Sequence, residues 1–401
     1  MIQQLEKILV DAWSLVAGAA AVISLPGTIE LFGLSAAALF PVRKPPSGAA
    51  QGPWRVAVVV PAHNEALGIA SCVQSLLLAD KGNMQITVYV IADNCTDNTA
   101  ELAEQAGAAV LRRTNEVERG KGYALHYAFT ELEATGFDCV LIVDADTTVS
   151  PNLIIAAAEA MRNGAAGVQV QYLARNADAS ARTRLQALAI RAFNVIRHRG
   201  RQNLGLSTGI LGNGFGLRRD TLAAVPYLAS SVVEDLEYHL GLVRSGRKIT
   251  FVNDATVFGE LPTGDKGAQT QRSRWEGGRF RMLVERVPGL FVDVLKGRLR
   301  CFEPMMELLL LPLAFHVVLL IVAALSPQLI VREIALAGIA VVLFHLAVTI
   351  VVGKGGWRDL TTLASAPFYI LWKLLLIPRM LRNASAKHAW VRTTRNEEDQ
   401  P

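Results

Sequence analysis

"CVLIVDADTTVS" (Cys139–Ser150) runs five apolar residues straight into two aspartates one residue apart. A short continuous apolar run of this kind reads as a strand buried on both faces. Asp144 and Asp146 then stand where that strand leaves its sheet. Two carboxylates so close repel each other and are costly to desolvate, unless a cation or a hydrogen-bond network holds them.

Working outward, "VAVVVPA", "ITVYVIAD" and "AAVLRR" are further strand-like runs on the amino-terminal side. Between them lie helical stretches: "EALGIASCVQSLLLAD", "NTAELAEQAG" and "KGYALHYAFTELEATG". Alternation at this spacing predicts an α/β domain with a mostly parallel sheet covered on both faces. Ligands of such sheets bind beyond the carboxyl ends of the strands. Three polar clusters fall there: "PAHNE" (Pro61–Glu65), "ADNCTDNT" (Ala92–Thr99) and "DADTT" (Asp144–Thr148). No GxGxxG follows the first strand, so a phosphate needs another source of positive charge. A metal on the aspartate pair is the obvious candidate. Downstream come a Gly-rich connection (Leu211–Asp220), the helix "SSVVEDLEYHLGLVRSG", the strand-rich "KITFVNDATVFGE" and another helix in "AQTQRSRWEGGRF".

The chain has 401 residues, 51% hydrophobic and 19% charged, with a mean hydropathy of +0.31. That is too apolar for an ordinary soluble enzyme. The net charge of +5 suits lipid headgroups or phosphorylated substrates, and no Lys/Arg tract points to nucleic acid. The four cysteines are scattered without CxxC spacing, as reduced thiols facing a cytosol-like compartment would be. "AWSLVAGAAAVISLPGTI", between Asp11 and Glu30, is long enough to span a bilayer. Its small residues would also suit a signal peptide, but the apolar run continues through "LFGLSAAALF". Arg43 and Lys44 place the downstream side in the cytoplasm. Leu308–Val331 and Ile334–Gly353 are uncharged and read as two late spans joined by a short turn at Arg332 and Glu333. Their histidines, His316 and His345, are expected to pack against neighbouring helices. "LTTLASAPFYILWKLLLIPRML", with Lys373, Pro367 and Pro378, reads as interfacial or re-entrant. The basic tail (Arg379, Arg382, Lys387, Arg392, Arg395) favours a cytoplasmic end, hence two late spans. The expected layout is an anchor over 1–45, a cytoplasmic domain over 46–286, and interfacial, membrane and tail segments over 287–401.

From Arg55 to Arg286 the motifs, in order, resemble the family 2 glycosyltransferases, in particular the membrane-embedded cellulose, chitin, hyaluronan and poly-N-acetylglucosamine synthases. The resemblance implies a GT-A type, Rossmann-like nucleotide-sugar domain in an integral membrane protein, of the kind found in a bacterial inner membrane. By this likeness Asp144 and Asp146 form the DxD that binds Mg²⁺ or Mn²⁺ on a nucleotide diphosphate. Asp93 accepts from the uracil ring, although Asn94 and Cys95 depart from the usual "DDGSTD". Pro61, Glu65 and Lys121 join the nucleotide site. In "VVED", Asp235 is the general base that takes the acceptor proton, and Glu234 is its neighbour. "QRSRW" completes the Q(Q/R)xRW signature. Gln271, Arg274 and Trp275 share one helix face at i, i+3 and i+4. Gln271 and Arg274 then hold the diphosphate, while Trp275, with Asn213 and Gly214, meets the acceptor.

Plainer readings stand beside each of these. Asp97 fits a helix cap, Lys121 a solvated lysine, and Glu234 and Asp235 a favourable helix dipole, which would also keep Asp235 ionised. "DADTT" also fits a DxDxT phosphatase, though that motif belongs on an earlier strand. A nucleotide-binding membrane receptor is the rival of a different class. The implied reaction is inverting transfer from a UDP-sugar to a growing polysaccharide, with export subunits completing the conduit. Transfer of one sugar to a lipid-linked acceptor is the alternative, because QxxRW also occurs in ceramide glucosyltransferases.

Overall fold

A computed structural model of the chain describes residues 1–42, 54–228 and 233–378. Arg43, Lys44 and the basic tail fall outside the described residues. The strands are β1 (Arg55–Ala62), β2 (Gln85–Asp93), β3 (Ala109–Arg113), β4 (Cys139–Ile142), β5 (Thr148–Val149), β6 (Gly167–Ala174), β7 (Phe215–Arg218) and β8 (Ile249–Gly259). They form one sheet in the order β3-β2-β1-β4-β7-β6-β8-β5.

The first half is parallel, as expected, because β1 pairs β2 and β4 while β2 pairs β3. Beyond β4 the sheet is mixed. The Gly-rich connection contains β7, which runs antiparallel to both β4 and β6. β6 itself goes unread in the sequence, and it pairs β8 in parallel.

The helices of this domain are α2 (Ile69–Leu77), α3 (Thr99–Gln105), α4 (Lys121–Leu132), α5 (Leu153–Arg162), α6 (Ala181–Arg191), α7 (His198–Asn203), α8 (Arg219–Ala224), α9 (Glu234–Arg244) and α10 (Asp265–Leu295), preceded in the chain by α1 (Ile2–Ala38). Strand alternation divides β1 and β4 between two layers. Val56, Val58, Leu141 and Val143 pack with Ile69 and Leu76 of α2. Val59, Val140 and Ile142 pack with Leu125 and Leu132 of α4. Burying each such side chain stabilises the fold by about 2 kcal/mol, and a strand covered on both faces needs the unbroken apolar run seen at Cys139–Val143. The parallel register, Pro61 opposite Ile91 and Val59 opposite Ile142, brings the three polar clusters to one edge.

After α10 come α11 (Phe302–Leu309), α12 (Leu313–Ala324), α13 (Leu329–Val352), α14 (Trp357–Leu363) and α15 (Ala366–Leu375). Among the described residues α1 and α13 are long and apolar enough to cross a membrane. The span expected over 308–331 is broken instead. α11 and α12 meet at a 75° bend, and α12, at about 18 Å, is shorter than a bilayer core. The break lies at Leu310–Pro312, where Pro312 cannot continue the amide ladder. Arg279 of α10 holds the broken end by donating to the Leu310 carbonyl at 3.1 Å and to that of Glu307. α13 begins at Leu329, so Arg332 and Glu333 lie inside the helix near its start rather than in a loop. The expected domain end at 286 falls inside α10.

Glu30, read in the sequence as the flank of the first span, lies inside α1, only 8% exposed, and pairs with Arg201 at 3.2 Å. His316 and His345 bond hydroxyls of the same helix, Thr28 at 3.1 Å and Ser35 at 2.8 Å. The last carbonyls of α1, which have no partner within the helix, are met from α7. Asn203 donates to the Ala37 carbonyl at 2.9 Å, and Arg199 donates to that of Ala38. Gly200 makes this approach possible, since a β-carbon there would sit 2.3 Å from the Leu34 carbonyl oxygen. Gly200→Ala is expected to destabilise the protein by about 1–3 kcal/mol, read as a lower midpoint of thermal unfolding in detergent. An unchanged midpoint would show that this helix contact is not tight.

Candidate active site

A cavity of about 1260 Å³ opens at the carboxyl edge of the sheet. Pro61, Glu65, Asp93 and Lys121 line it beside Asp144 and Asp146. Glu234 and Asp235, in the first turn of α9, face the same space, as do Gln271 and Trp275 of α10. The motifs thus converge although they are spread over more than half of the chain. The side chain of Arg274 lies outside the described residues.

Asn213 and Gly214 require a correction, because they are not among the residues that line this cavity. Asn213 is 1% exposed and braces the aspartate turn from behind. Its side-chain oxygen accepts from the Asp144 N–H at 3.1 Å, and its amide donates to the Thr147 hydroxyl at 2.9 Å. Gly214, at φ 67°, packs where a β-carbon would sit 2.7 Å from Val170 and Val257. The Gly-rich sequence serves close packing there. Its neighbour Gly212, unnoticed in the sequence, does line the cavity, 3.2 Å short of Asp235 Oδ2 for any added β-carbon.

Lys121 begins α4 and donates to Asp144 Oδ1 and, at 2.6 Å, to the Gly212 carbonyl. It is therefore not a plain solvated lysine. Burial favours its neutral form, but Asp144 and then Glu234 outweigh that and raise its pKa, so it stays an ammonium. Asp93 is held by a residue the sequence did not flag. Buried Arg113 donates to Asp93 Oδ1 at 2.7 Å and to the Glu118 carbonyl at 2.9 Å. Asp97 stands one residue before the N-cap, Asn98, and its Oδ1 accepts from the Thr99 N–H at 3.0 Å, so it supports the start of α3 without being the cap itself.

Electrostatics at α9 differ from the sequence expectation. Burial, and then Asp235 next door, push Glu234 up to about 8, so it carries a proton at neutral pH. Burial also raises Asp235, opposed by the Leu236 N–H, which donates at 2.8 Å, and by Lys121. Desolvation outweighs the helix end. A carboxylate with a raised pKa is a stronger base once ionised.

Two carboxylates on one turn, with the Thr147 hydroxyl donating to Asp146 at 3.3 Å, form a hard-oxygen donor set. They fit Mg²⁺ or Mn²⁺, which keeps several waters and is held by one or two carboxylates plus substrate phosphates. Among the described residues no group of three or more His, Cys, Asp or Glu closes a cage for an ion.

Residues 53–278, from just before β1 into α10, match the family model described as "Glycosyltransferase like family 2". The chain is a family 2 glycosyltransferase. This glycosyltransferase is 29% identical over 236 residues to the beta-monoglucosyldiacylglycerol synthase of Nostoc sp. (strain PCC 7120), covering 57% of this chain and 50% of the relative. It is 23% identical over 240 residues to the probable glycosyltransferase YdaM of Bacillus subtilis, covering 58% and 56%. The chain thus spans about half the length of the curated relatives it matches. Among solved structures it is similar to the mannosyltransferase PcManGT from Pyrobaculum calidifontis, in complex with GDP-Man and Mn²⁺. That likeness has a TM-score of 0.56 at 16% identity and covers 94% of this chain and 100% of the other. It shows the shared GT-A fold.

Proposed function

We propose that this glycosyltransferase moves one sugar from a UDP-sugar, with inversion, to the hydroxyl of a membrane lipid. The observation that carries this reading is the continuity of the cavity. The space that meets Asp144 and Asp235 is also walled by Leu31 of α1 and by Val342 and Leu346 of α13. An acceptor can therefore lie among membrane helices and present its hydroxyl to the carboxylates. Among the described residues, two helices long enough to span and one bent helix pair offer little to enclose a polymer. The lipid acceptor is accordingly preferred here to the growing polysaccharide of the sequence reading, and no export subunit is needed. The glycolipid synthase among the relatives is consistent with this choice.

In this reading Asp93, positioned by Arg113, accepts from the uracil ring. Lys121 and Gln271 face the diphosphate, with Arg274 assigned to it by the QxxRW resemblance alone, and Pro61 and Glu65 shape the nucleotide end. A divalent ion on Asp144 and Asp146 would offset charge on the departing diphosphate, which is worth several kcal/mol. Asp235 takes the proton of the acceptor hydroxyl, while protonated Glu234 leaves the pair with a single charge. Trp275 offers an indole face to a sugar ring. Arg43 and Lys44 orient the domain toward the cytoplasm.

The test is incubation of purified protein with single radiolabelled UDP- or GDP-sugars and dioleoylglycerol or ceramide in detergent. One donor is expected to label an organic-extractable product carrying a single sugar. A water-soluble labelled polymer would restore the polysaccharide reading, and a GDP donor would overturn the uracil assignment.

A further inference from the structure

We infer that the membrane-side end of the cavity contains a second recognition site, centred on Arg197, for the acyl carbonyl of a neutral hydroxylated lipid. This rests on the lipid-acceptor reading and narrows it.

Arg197 closes a π-helical turn, Ala192–Arg197, between α6 and α7. Such turns are rare and recur at functional sites. The residue is 6% exposed and lines the cavity, with its guanidinium 4.4 Å from the centre of the Phe193 ring, which lines it too. Arg197 Nε and Nη2 have no hydrogen-bond partner among the described residues. The nearest carboxylates, Glu307 at 3.7 Å and Glu30 at 3.8 Å, stand beyond hydrogen-bond reach. Neighbouring Arg201 differs: it does not line the cavity and is met by Glu307 at 3.0 Å, Glu30 at 3.2 Å and Glu303. Arg279 is occupied by the carbonyls of Glu307 and Leu310. Arg201 Nη1 is unmatched as well, but of the two only Arg197 lines the cavity, where a ligand can reach its donors, and buried donors left unmatched are costly.

The charge balance selects the oxygen that meets them. Arg197, Arg201 and Arg279 face Glu30, Glu303 and Glu307 in linked pairs, three guanidiniums against three carboxyl groups. Each guanidinium already has a carboxyl group to face, and a phosphate at Arg197 would bring a further anion beside Glu307 and Glu30, which stand 3.7 Å and 3.8 Å from that guanidinium. A neutral ester or amide carbonyl accepts from the same donors without adding charge.

Spacing agrees with this assignment. His198, adjacent to Arg197, meets the Gly209 carbonyl through Nε2 at 3.3 Å, and Gly212 abuts Asp235. The intervening segment spans at most roughly 10 Å when extended. Arg197 and Asp235 therefore flank one stretch of cavity wall. In this proposal a lipid whose hydroxyl reaches Asp235 lies along that wall, with its acyl linkage toward the guanidinium.

The experiment compares dioleoylglycerol with its dialkyl ether analogue, which lacks both carbonyls, as acceptors for full-length protein. Phosphatidic acid is included as an anionic probe. Wild type is expected to favour the ester over the ether by about tenfold in kcat/KM. Arg197→Gln should bring that ratio close to one, and Arg197→Lys should retain part of it. Equal use of ester and ether by wild type, an unchanged ratio in Arg197→Gln, or preferential capture of phosphatidic acid would each overturn the inference. If Arg197→Gln does not fold, the wild-type ratio and Arg197→Lys decide. Should sugar pass only to a soluble glycan, the lipid-acceptor reading itself fails. Glycosylated lipid with no Arg197-dependent preference defeats the Arg197 site alone.

Discussion

Asp235→Asn is expected to lower single-turnover rate by about 10³-fold while the dissociation constant of UDP stays within about twofold. The amide keeps the shape of the carboxylate, and its oxygen can still accept from the Leu236 N–H, as Asp235 Oδ1 does at 2.8 Å. What it loses is the capacity to take the acceptor proton. The pH dependence provides a second readout. Burial raises the Asp235 pKa, so the side chain takes up its proton at a higher pH than an ordinary aspartate near 3.9. The base is then lost as pH falls through that raised value, and the acidic limb of the wild-type rate should lie above about pH 4. With Glu234 pushed up to about 8, the limb belongs to the pair rather than to one residue. The residual rate of Asp235→Asn should have lost it. Strongly weakened UDP binding in the variant would instead place Asp235 in the nucleotide site and leave the reaction without its base.

Asp144→Asn carries the second large effect, a loss of turnover of about 10³-fold or more, corresponding to several kcal/mol of lost charge stabilisation. The substitution removes one of two carboxylates while leaving the backbone bond from the Asp144 N–H to Asn213 available. The side chain is about one-third exposed, so the fold should tolerate the change. Mn²⁺ binding in the presence of UDP, followed by electron paramagnetic resonance, should weaken in parallel, and Asp146→Asn should behave alike. Wild-type protein fully active in EDTA would defeat metal dependence and leave the Lys121 ammonium as the cation on Asp144.

Most of the residues that line the cavity were legible because three of the motifs follow strands whose ends the apolar pattern marks. "DAD", "ADN" and "PAHNE" sit where β4, β2 and β1 end, and "ED" and "QRSRW" lie on helices recognisable by their spacing. Residues that act through a partner were not legible. Arg113 looks like any charged residue of a strand, and its role appears only because Asp93 stands beside it. Asn213 and Gly214 show the reverse error. A Gly-rich motif beside the site suggests contact with substrate, yet its backbone is used to pack β7 between β4 and β6.

The sequence by itself determined the α/β class, the parallel half of the sheet, the length and apolarity that would let α1 and α13 cross a membrane, and most of the residues that meet in the cavity. Those features rest on local apolar periodicity and on side-chain chemistry, which neighbouring residues are enough to express. Tertiary structure alone decided the antiparallel half of the sheet, the break at Leu310–Pro312, and the fate of the buried charges. Glu30 and Lys373 read as the ends or flaws of apolar segments. Each is buried, Glu30 against Arg201 and Lys373 against Glu276 at 2.5 Å. Whether a charge marks a boundary or an interior depends on a partner far away in the chain, and local composition carries no information about that partner. The same physics extends the cavity from the carboxylates of the sheet edge into the apolar helices, where the acceptor is expected to lie.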